Sequence, residues 1–169
     1  MNGGVGFFTG GVLHLEDCVI RNGDFGFGIE FAPSTASELY ISNCTISSDN
    51  PASAATGGGI RIKPIGSGSA KVFLDNVHVE NNRSGIVVDR SETTGSVVVV
   101  VRHSTVVGNR LNGVVSKGSG TIVRLSDTTV SGNGTGLLSQ NAGQIISHGD
   151  NIVVGNTTNG AFTSTVAKQ

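Results

Sequence analysis

The residues best suited to acid–base chemistry in this 169-residue chain are His78, Glu80 and Arg83. In an extended strand His78 and Glu80 point to the same face, about 7 Å apart, and Arg83 follows at the next corner. A histidine, a carboxylate and an arginine could exchange a proton and hold an acidic substrate. Solvated polar residues on an exposed sheet explain the same pattern, and the sequence favours that simpler interpretation.

Carboxylates are too few and too scattered for a glycosidase. Such an enzyme needs two of them, roughly 5 to 10 Å apart, on either side of one bond. The outward strand positions carry only Glu30 and Glu80, and these fall on different sheets. Cys18 and Cys44 lack the histidine partners of a zinc site, so we expect no metal and no cofactor. The missing carboxylate pair favours a non-catalytic protein.

Aromatic residues supply the best sign of carbohydrate binding. His14, Tyr40 and Phe73 occupy the same outward position in three consecutive repeats. Aromatic rings are common contacts for sugars, but an aromatic ladder that stabilises the sheet or meets a partner explains the column equally well. Arg61, with Glu30 beside it, could bind an anionic sugar, although a Glu30–Arg61 ion pair is the simpler expectation.

The elements that position these residues form an internal repeat. Seven glycines each open a short strand, and they recur at steps of 22 to 31 residues: Gly6, Gly28, Gly59, Gly85, Gly113, Gly136 and Gly160. Spacing of this kind is typical of a solenoid. No stretch has a helical apolar period, so no long helix is expected.

Two further strands per repeat complete the turn, each with alternate residues facing inward. Their inward positions are almost all aliphatic and stack in columns that end at Ile146 and Val153. A column of residues that tolerate left-handed backbone joins the two strands: Asp17, Asn43, Asn76, His103, Asp127 and Asp150. The prediction is an all-β coil of about six rungs with three parallel sheets, formed as a single domain over residues 1–169.

This pattern, over residues 6–162, resembles the right-handed parallel β-helix proteins of the pectin-lyase-like superfamily. The resemblance implies a right-handed coil. It does not imply one activity, because the superfamily includes polysaccharide lyases, glycoside hydrolases, epimerases, phage adhesins and non-catalytic modules. We expect a non-catalytic module that presents a binding or self-association surface, with carbohydrate as the candidate ligand. The alternative is a polysaccharide-active enzyme. Members are often secreted, but this chain shows no signal peptide and its compartment stays open.

Two apolar features predict a homo-oligomer. Phe7 and Phe8 lie at an incomplete first rung, which suggests either a fragment of a longer β-helix or an end covered by another copy. An outward column on the third sheet is apolar over its last four rungs: Val87, Val115, Leu138 and Phe162. We expect side-by-side or end-to-end pairing.

Charge and hydropathy limit which classes of partner the chain could bind. The net charge is −1 and no basic stripe is visible, which argues against nucleic acid. The longest apolar run, residues 97–101, is too short to span a membrane. Cys18 and Cys44 share one inward position on adjacent rungs, close enough for a disulfide, but two stacked thiols are favoured. His148 is expected to point inward. The insertion at residues 48–58 could border a site or form a simple surface loop.

Overall fold

Parallel strands wind into a coil of about five turns, close to the six rungs expected, with six strands on each face and no helix among the residues that the structure describes. The computed structural model describes residues 4–22, 26–48 and 57–167. Each turn crosses three faces, which we call the first, second and third faces in chain order. Because strands pair with their counterparts on neighbouring turns, a side chain at one position stacks on those above and below it.

The strands fall on the three faces as follows. The first face carries β2 (Gly11–Glu16), the first part of β5 (Ala36–Ser48), the first part of β7 (Ser69–Glu80), β9 (Val97–Arg102), β12 (Thr121–Ser126) and β15 (Gln144–Ser147). The second face carries β3 (Val19–Asn22), the later parts of β5 and β7, β10 (Thr105–Val107), β13 (Thr129–Ser131) and β16 (Ile152–Val154). The third face carries β1 (Val5–Phe7), β4 (Gly26–Phe31), β6 (Gly57–Ile62), β8 (Ser84–Asp89), β11 (Asn112–Lys117) and β14 (Thr135–Gln140). A two-residue strand, β17 (Ser164–Thr165), pairs with β15.

The core consists of the predicted aliphatic columns. On the third face the column is in register from turn to turn, and its members are almost completely buried: Ile29, Ile60, Ile86, Val114 and Leu137. The second face contributes an in-register column whose two end members are only partly buried: Ile20, Ile46, Val79, Val106, Val130 and Val153. No single turn could bury these side chains alone, so the stacking of turns provides the core.

The corner between the first and second faces is a single residue in the left-handed region. Asp17, Asn43, Asn76, His103 and Asp127 have φ between 45° and 54°, as the sequence predicted. Asp150 was wrongly assigned to this column, because Gly149, with φ 92°, makes the last corner. Glycine takes up this backbone conformation without the steric cost that a Cβ brings.

A ladder of buried asparagines forms the corner between the second and third faces. Asn82, Asn109, Asn133 and Asn156 stack on consecutive turns, and the first three are almost completely buried. The Asn82 and Asn109 backbone N–H groups each donate to the side-chain oxygen of the next asparagine, both at 3.0 Å. These bonds satisfy backbone groups that the corner would otherwise leave unpaired.

Loops at the corner after the third face are held by one arginine. Arg90 Nε donates to the Gly95 carbonyl at 2.6 Å, Nη1 to Ser119 at 2.6 Å and Nη2 to Thr94 at 2.7 Å. Three carbonyls from two turns therefore converge on one planar guanidinium, which fixes both loops.

Register at the two ends differs from the prediction. Gly6 pairs with Glu30, so the first third-face strand lies two residues earlier than expected, and Phe7 faces inward on Phe31 with ring centroids 5.0 Å apart. At the other end Val123 pairs with Ile145, not with Ile146. The polar strand β17 pairs with β15 at Ile146 and covers this side chain, so that Ile146 is only 8% exposed.

After β14 the described residues form no further strand on the third face. Residues 160–162, predicted as a strand, form none, and Phe162 instead packs against the core cluster. The Thr163 hydroxyl and backbone both bond Ile145, which anchors the tail over the last turn. The predicted insertion at 48–58 lies mostly outside the described residues, as does Gly23 of the predicted second corner.

Candidate functional site

The aromatic column on the first face is a stacked ladder. His14, Tyr40 and Phe73 are in register on β2, β5 and β7. The ring centroids of His14 and Tyr40 are 4.8 Å apart and nearly parallel, at 7°, and those of Tyr40 and Phe73 are 5.1 Å apart at 9°. The sequence correctly placed these rings on three consecutive turns.

Stacking determines which parts of the rings a ligand can reach. If the parallel rings lay side by side in one plane at these distances, the hydrogens on their edges would collide. The rings therefore stack face against face. Tyr40 therefore has both faces covered by its neighbours. A ligand above the ladder meets ring edges, which carry partial positive charge and attract oxygen atoms. This arrangement differs from a flat platform for a sugar ring.

Polar side chains border the ladder on one side. The Tyr40 hydroxyl donates to Glu38 Oε2 at 2.6 Å, and this bond to a carboxylate raises the pKa of the phenol. Lys71 Nζ lies 3.8 Å from Glu38 Oε1. Lys71 is exposed and Glu38 is partly exposed, so both offer hydrogen bonds to a ligand and their ion pair contributes little to stability.

A carboxylate bonded to a histidine and an arginine borders the ladder on the other side. Asp75 accepts from His103 Nδ1 at 2.8 Å and from Arg102 Nη2 at 2.9 Å. The hydrogen bond from His103 is the largest cause and lowers the pKa of Asp75. Burial is the next largest and opposes it, and Arg102 lowers the pKa further. His103 Nε2 lies 3.9 Å from Asp127, one turn further on.

The ladder lines a concavity of about 460 Å³ that continues along the coil. Its far wall contains Val100 and Arg102, which also line a second concavity of about 550 Å³. The second concavity holds Arg124 and His148 and is bordered by the tail residues Val166 and Ala167. His148 was wrongly predicted to point inward. The register shift at β15 places Ser147, which is 4% exposed, beneath Leu125 and turns His148 toward this concavity.

Sequence reasoning missed the basic end of this groove. Arg124 follows Val100 in the ladder's own column, so the strand register was the only signal that could have identified it. Together the two concavities form what we call the first-face groove. It is aromatic at one end and basic at the other.

The proposed acid–base residues are not joined into one site. His78 Nδ1 lies 2.7 Å from the Thr105 hydroxyl, one turn later on the second face. Within residues 4–22, 26–48 and 57–167, no hydrogen bond or ion pair connects His78 with Glu80 or Arg83. Arg83 lines a different concavity, on the third face.

The apolar residues predicted to form an interface occupy different environments. Val87, Val115 and Leu138 share one outward column on β8, β11 and β14, but Val115 is only 6% exposed. Phe162 is not part of this column, because it packs against the core. Phe8 is 48% exposed at the first turn. Glu30 and Arg61 form the expected ion pair, and Arg61 also lies over the Phe27 ring at 4.8 Å.

The two cysteines occupy one inward column, as predicted. Both are free thiols, and the Cys18 backbone N–H donates to Cys44 Sγ at 3.3 Å. Burial is the main cause that raises the pKa of the Cys44 thiol.

In the part of the chain that the structure describes, no three His, Cys, Asp or Glu side chains group as metal ligands. That same part contains no helix long and apolar enough to cross a membrane.

One family model matches this chain. It is described as a right handed beta helix region and covers residues 1–159. No curated protein and no solved structure gave a match.

Proposed function

The chain belongs to the right-handed β-helix family, and from this architecture we propose that it is a non-catalytic module that binds an extended carbohydrate along the first-face groove. The observation that carries the proposal is the continuity of the groove, from the His14–Tyr40–Phe73 ladder to Arg124 and His148. Six first-face strands span roughly 24 Å along the axis at about 4.8 Å per step, which suits a linear chain better than a compact ligand.

The chemistry of the groove fits a ligand rich in hydroxyl groups. Ring edges attract oxygen atoms, Asp75 accepts hydrogen bonds, and Arg102 and Arg124 donate them. Glu38, beside the groove, adds a further acceptor next to the Tyr40 hydroxyl. Arg124 has no ion pair or side-chain hydrogen bond to another described residue. The open groove lacks an enclosed centre, which supports binding over turnover.

The test is an NMR titration of the whole chain with neutral and acidic oligosaccharides. We expect saturable shifts at first-face amides and few on the second face. Phe73→Leu keeps the apolar bulk and removes a ring, so it should weaken binding, whereas Tyr40→Phe keeps the ladder and removes only one hydroxyl. His78→Ala on the second face is the matched control. Equal affinity in Phe73→Leu and wild type would refute the groove as the site.

The same samples test the enzymatic alternative. We expect neither unsaturated products nor new reducing ends after long incubation with pectate or alginate. Reproducible cleavage that is abolished by His78→Ala or Glu80→Ala would overturn the non-catalytic proposal, whatever the titration shows.

Self-association is the second part of the proposal, and the first turn supports it. Leu13, Leu15 and Ile20 are only partly buried there, although their counterparts one turn later are completely covered. We propose that a second copy covers this end by adding a strand edge to β1 and β2. Light scattering should give twice the monomer mass at micromolar concentrations. A monomer refutes this part alone.

A further inference from the structure

The third face carries a second groove that the proposed function does not use. It is a concavity of about 350 Å³ whose lining combines two arginines with an apolar column, and it includes Arg61, Arg83, Val87, Val115 and Leu138. It shares no lining residue with the first-face groove. We refer to it as the third-face groove.

The two guanidinium groups in this groove differ in how they are satisfied. Arg61 pairs with Glu30 and lies over the Phe27 ring. Arg83 forms no ion pair with a carboxylate in the described ranges and no side-chain hydrogen bond within them. Its Nε atom is buried without a partner, as is Nε of Arg61. Half-burying an arginine with no anion beside it costs free energy, and a bound anion would offset that cost.

Charge balance around the groove sets the charge of the ligand. Lys117 Nζ lies 3.0 Å from Asp89 Oδ2, so these two charges cancel, and Arg61 is balanced by Glu30. Among the described residues that line the groove, one positive charge, that of Arg83, is left over. A singly charged anion is therefore a closer match than doubly charged phosphate. A carboxylate also matches the two parallel N–H donors of a guanidinium.

The floor of the groove determines which uncharged group the ligand should carry beside its carboxylate. Val87, Val115 and Leu138 are stacked on consecutive turns. Val115 is almost completely covered and the other two are half-buried, which leaves a narrow apolar strip beside Arg83. We propose that the third-face groove binds a monocarboxylate whose body has an apolar face, with the carboxylate on Arg83 and the body along Val115.

Sodium hexanoate is a suitable probe, compared with acetate, hexanol and inorganic phosphate. The Arg83 Nε–H signal and the Val115 amide report on the groove directly in an NMR titration. Hexanoate should give saturable shifts at both. Acetate and phosphate lack an apolar body and hexanol lacks the charge, so each should bind more weakly by about tenfold or more.

Substitutions then assign the contacts. Arg83→Gln should weaken hexanoate at least about tenfold, since charged hydrogen bonds are lost. Arg124→Gln, which removes an arginine from the first-face groove, should leave hexanoate binding unchanged. Val115→Thr keeps the shape and makes the floor polar, so it should weaken hexanoate and leave acetate unaffected. If Arg83→Gln does not fold, Arg83→Lys is the substitute. It keeps the charge but lacks the two parallel N–H donors of a guanidinium, so it should bind hexanoate with intermediate affinity.

Several results would overturn the proposal. These are no saturable shift with hexanoate, equal binding of acetate or phosphate, unchanged binding in Arg83→Gln, or an equal loss in Arg124→Gln. Because the carbohydrate titration reports on the first face, failure of either proposal leaves the other intact.

Discussion

Asn109 lies at the centre of the asparagine ladder, and replacing it with alanine tests whether the ladder stabilises the coil. The side chain is completely buried. Its oxygen accepts from the Asn82 N–H at 3.0 Å, and its amide nitrogen donates to the Val79 carbonyl at 3.2 Å and to Asn133 Oδ1 at 2.9 Å. Alanine removes all three bonds.

The expected loss follows from counting the groups left unpaired. Asn133 Oδ1 keeps the Asn109 backbone N–H as a donor, at 3.0 Å. The Asn82 N–H and the Val79 carbonyl lose this partner in a site that water does not reach. At about 1–3 kcal/mol for each stranded group, the free energy of unfolding should fall by roughly 2–6 kcal/mol. That is a large part of the 5–15 kcal/mol typical of a domain.

Asn156→Ala is the matched control, because Asn156 makes the same kinds of bond at the half-exposed end of the ladder. Water can enter the vacated position, so the expected loss is about 1 kcal/mol. The assay is urea unfolding followed by far-ultraviolet circular dichroism, with the slope of each curve compared with wild type. Equal losses in the two variants, or a loss below about 1 kcal/mol for Asn109→Ala, would show that burial of the ladder is not what makes it stabilising.

Three further substitutions probe the core, a loop and a surface charge. Leu74→Asp should unfold the protein, because an unpaired charge in the aliphatic stack costs several kcal/mol, about the stability of the whole domain, and circular dichroism would show it. Arg90→Lys should cost roughly 1–3 kcal/mol and speed hydrogen exchange at residues 90–96, since lysine cannot reach three carbonyls. Asp75→Asn should lose well under about 1 kcal/mol near neutral pH. His103 and Arg102 lower the folded-state pKa of Asp75, so its contribution is present above the unfolded pKa and disappears as pH falls through the folded one.

Each of these three has a clear contrary result. A soluble Leu74→Asp protein that unfolds cooperatively would contradict the assigned register. Unchanged exchange in the 90–96 loop would show that the arginine does not fix it. If the stability difference between wild type and Asp75→Asn grew toward acid, the carboxylate would not be the titrating group.

Much of the fold could be predicted because every turn repeats the same local rules. Alternation of apolar residues identified the core columns, and five of the six expected left-handed corners were correct because asparagine and aspartate tolerate that backbone. The errors lie at the ends, where a turn has a neighbour on one side only. There a pattern such as Gly6-Phe7-Phe8 fits two registers, and only pairing with Glu30 and Phe31 decides between them.

The candidate sites also combine features that the sequence predicts with features that only the tertiary structure decides. Period-2 alternation and the repeat length by themselves placed His14, Tyr40 and Phe73 in one column, because in-register parallel strands leave no other arrangement. Tertiary structure alone decided that their faces are covered and that Arg124 extends the groove. It likewise moved Arg83 to another face, away from His78. Sequence spacing determines which side of a strand a residue occupies. How its atoms stack, and which neighbours leave it without a partner, depends on distances between turns that are remote along the chain.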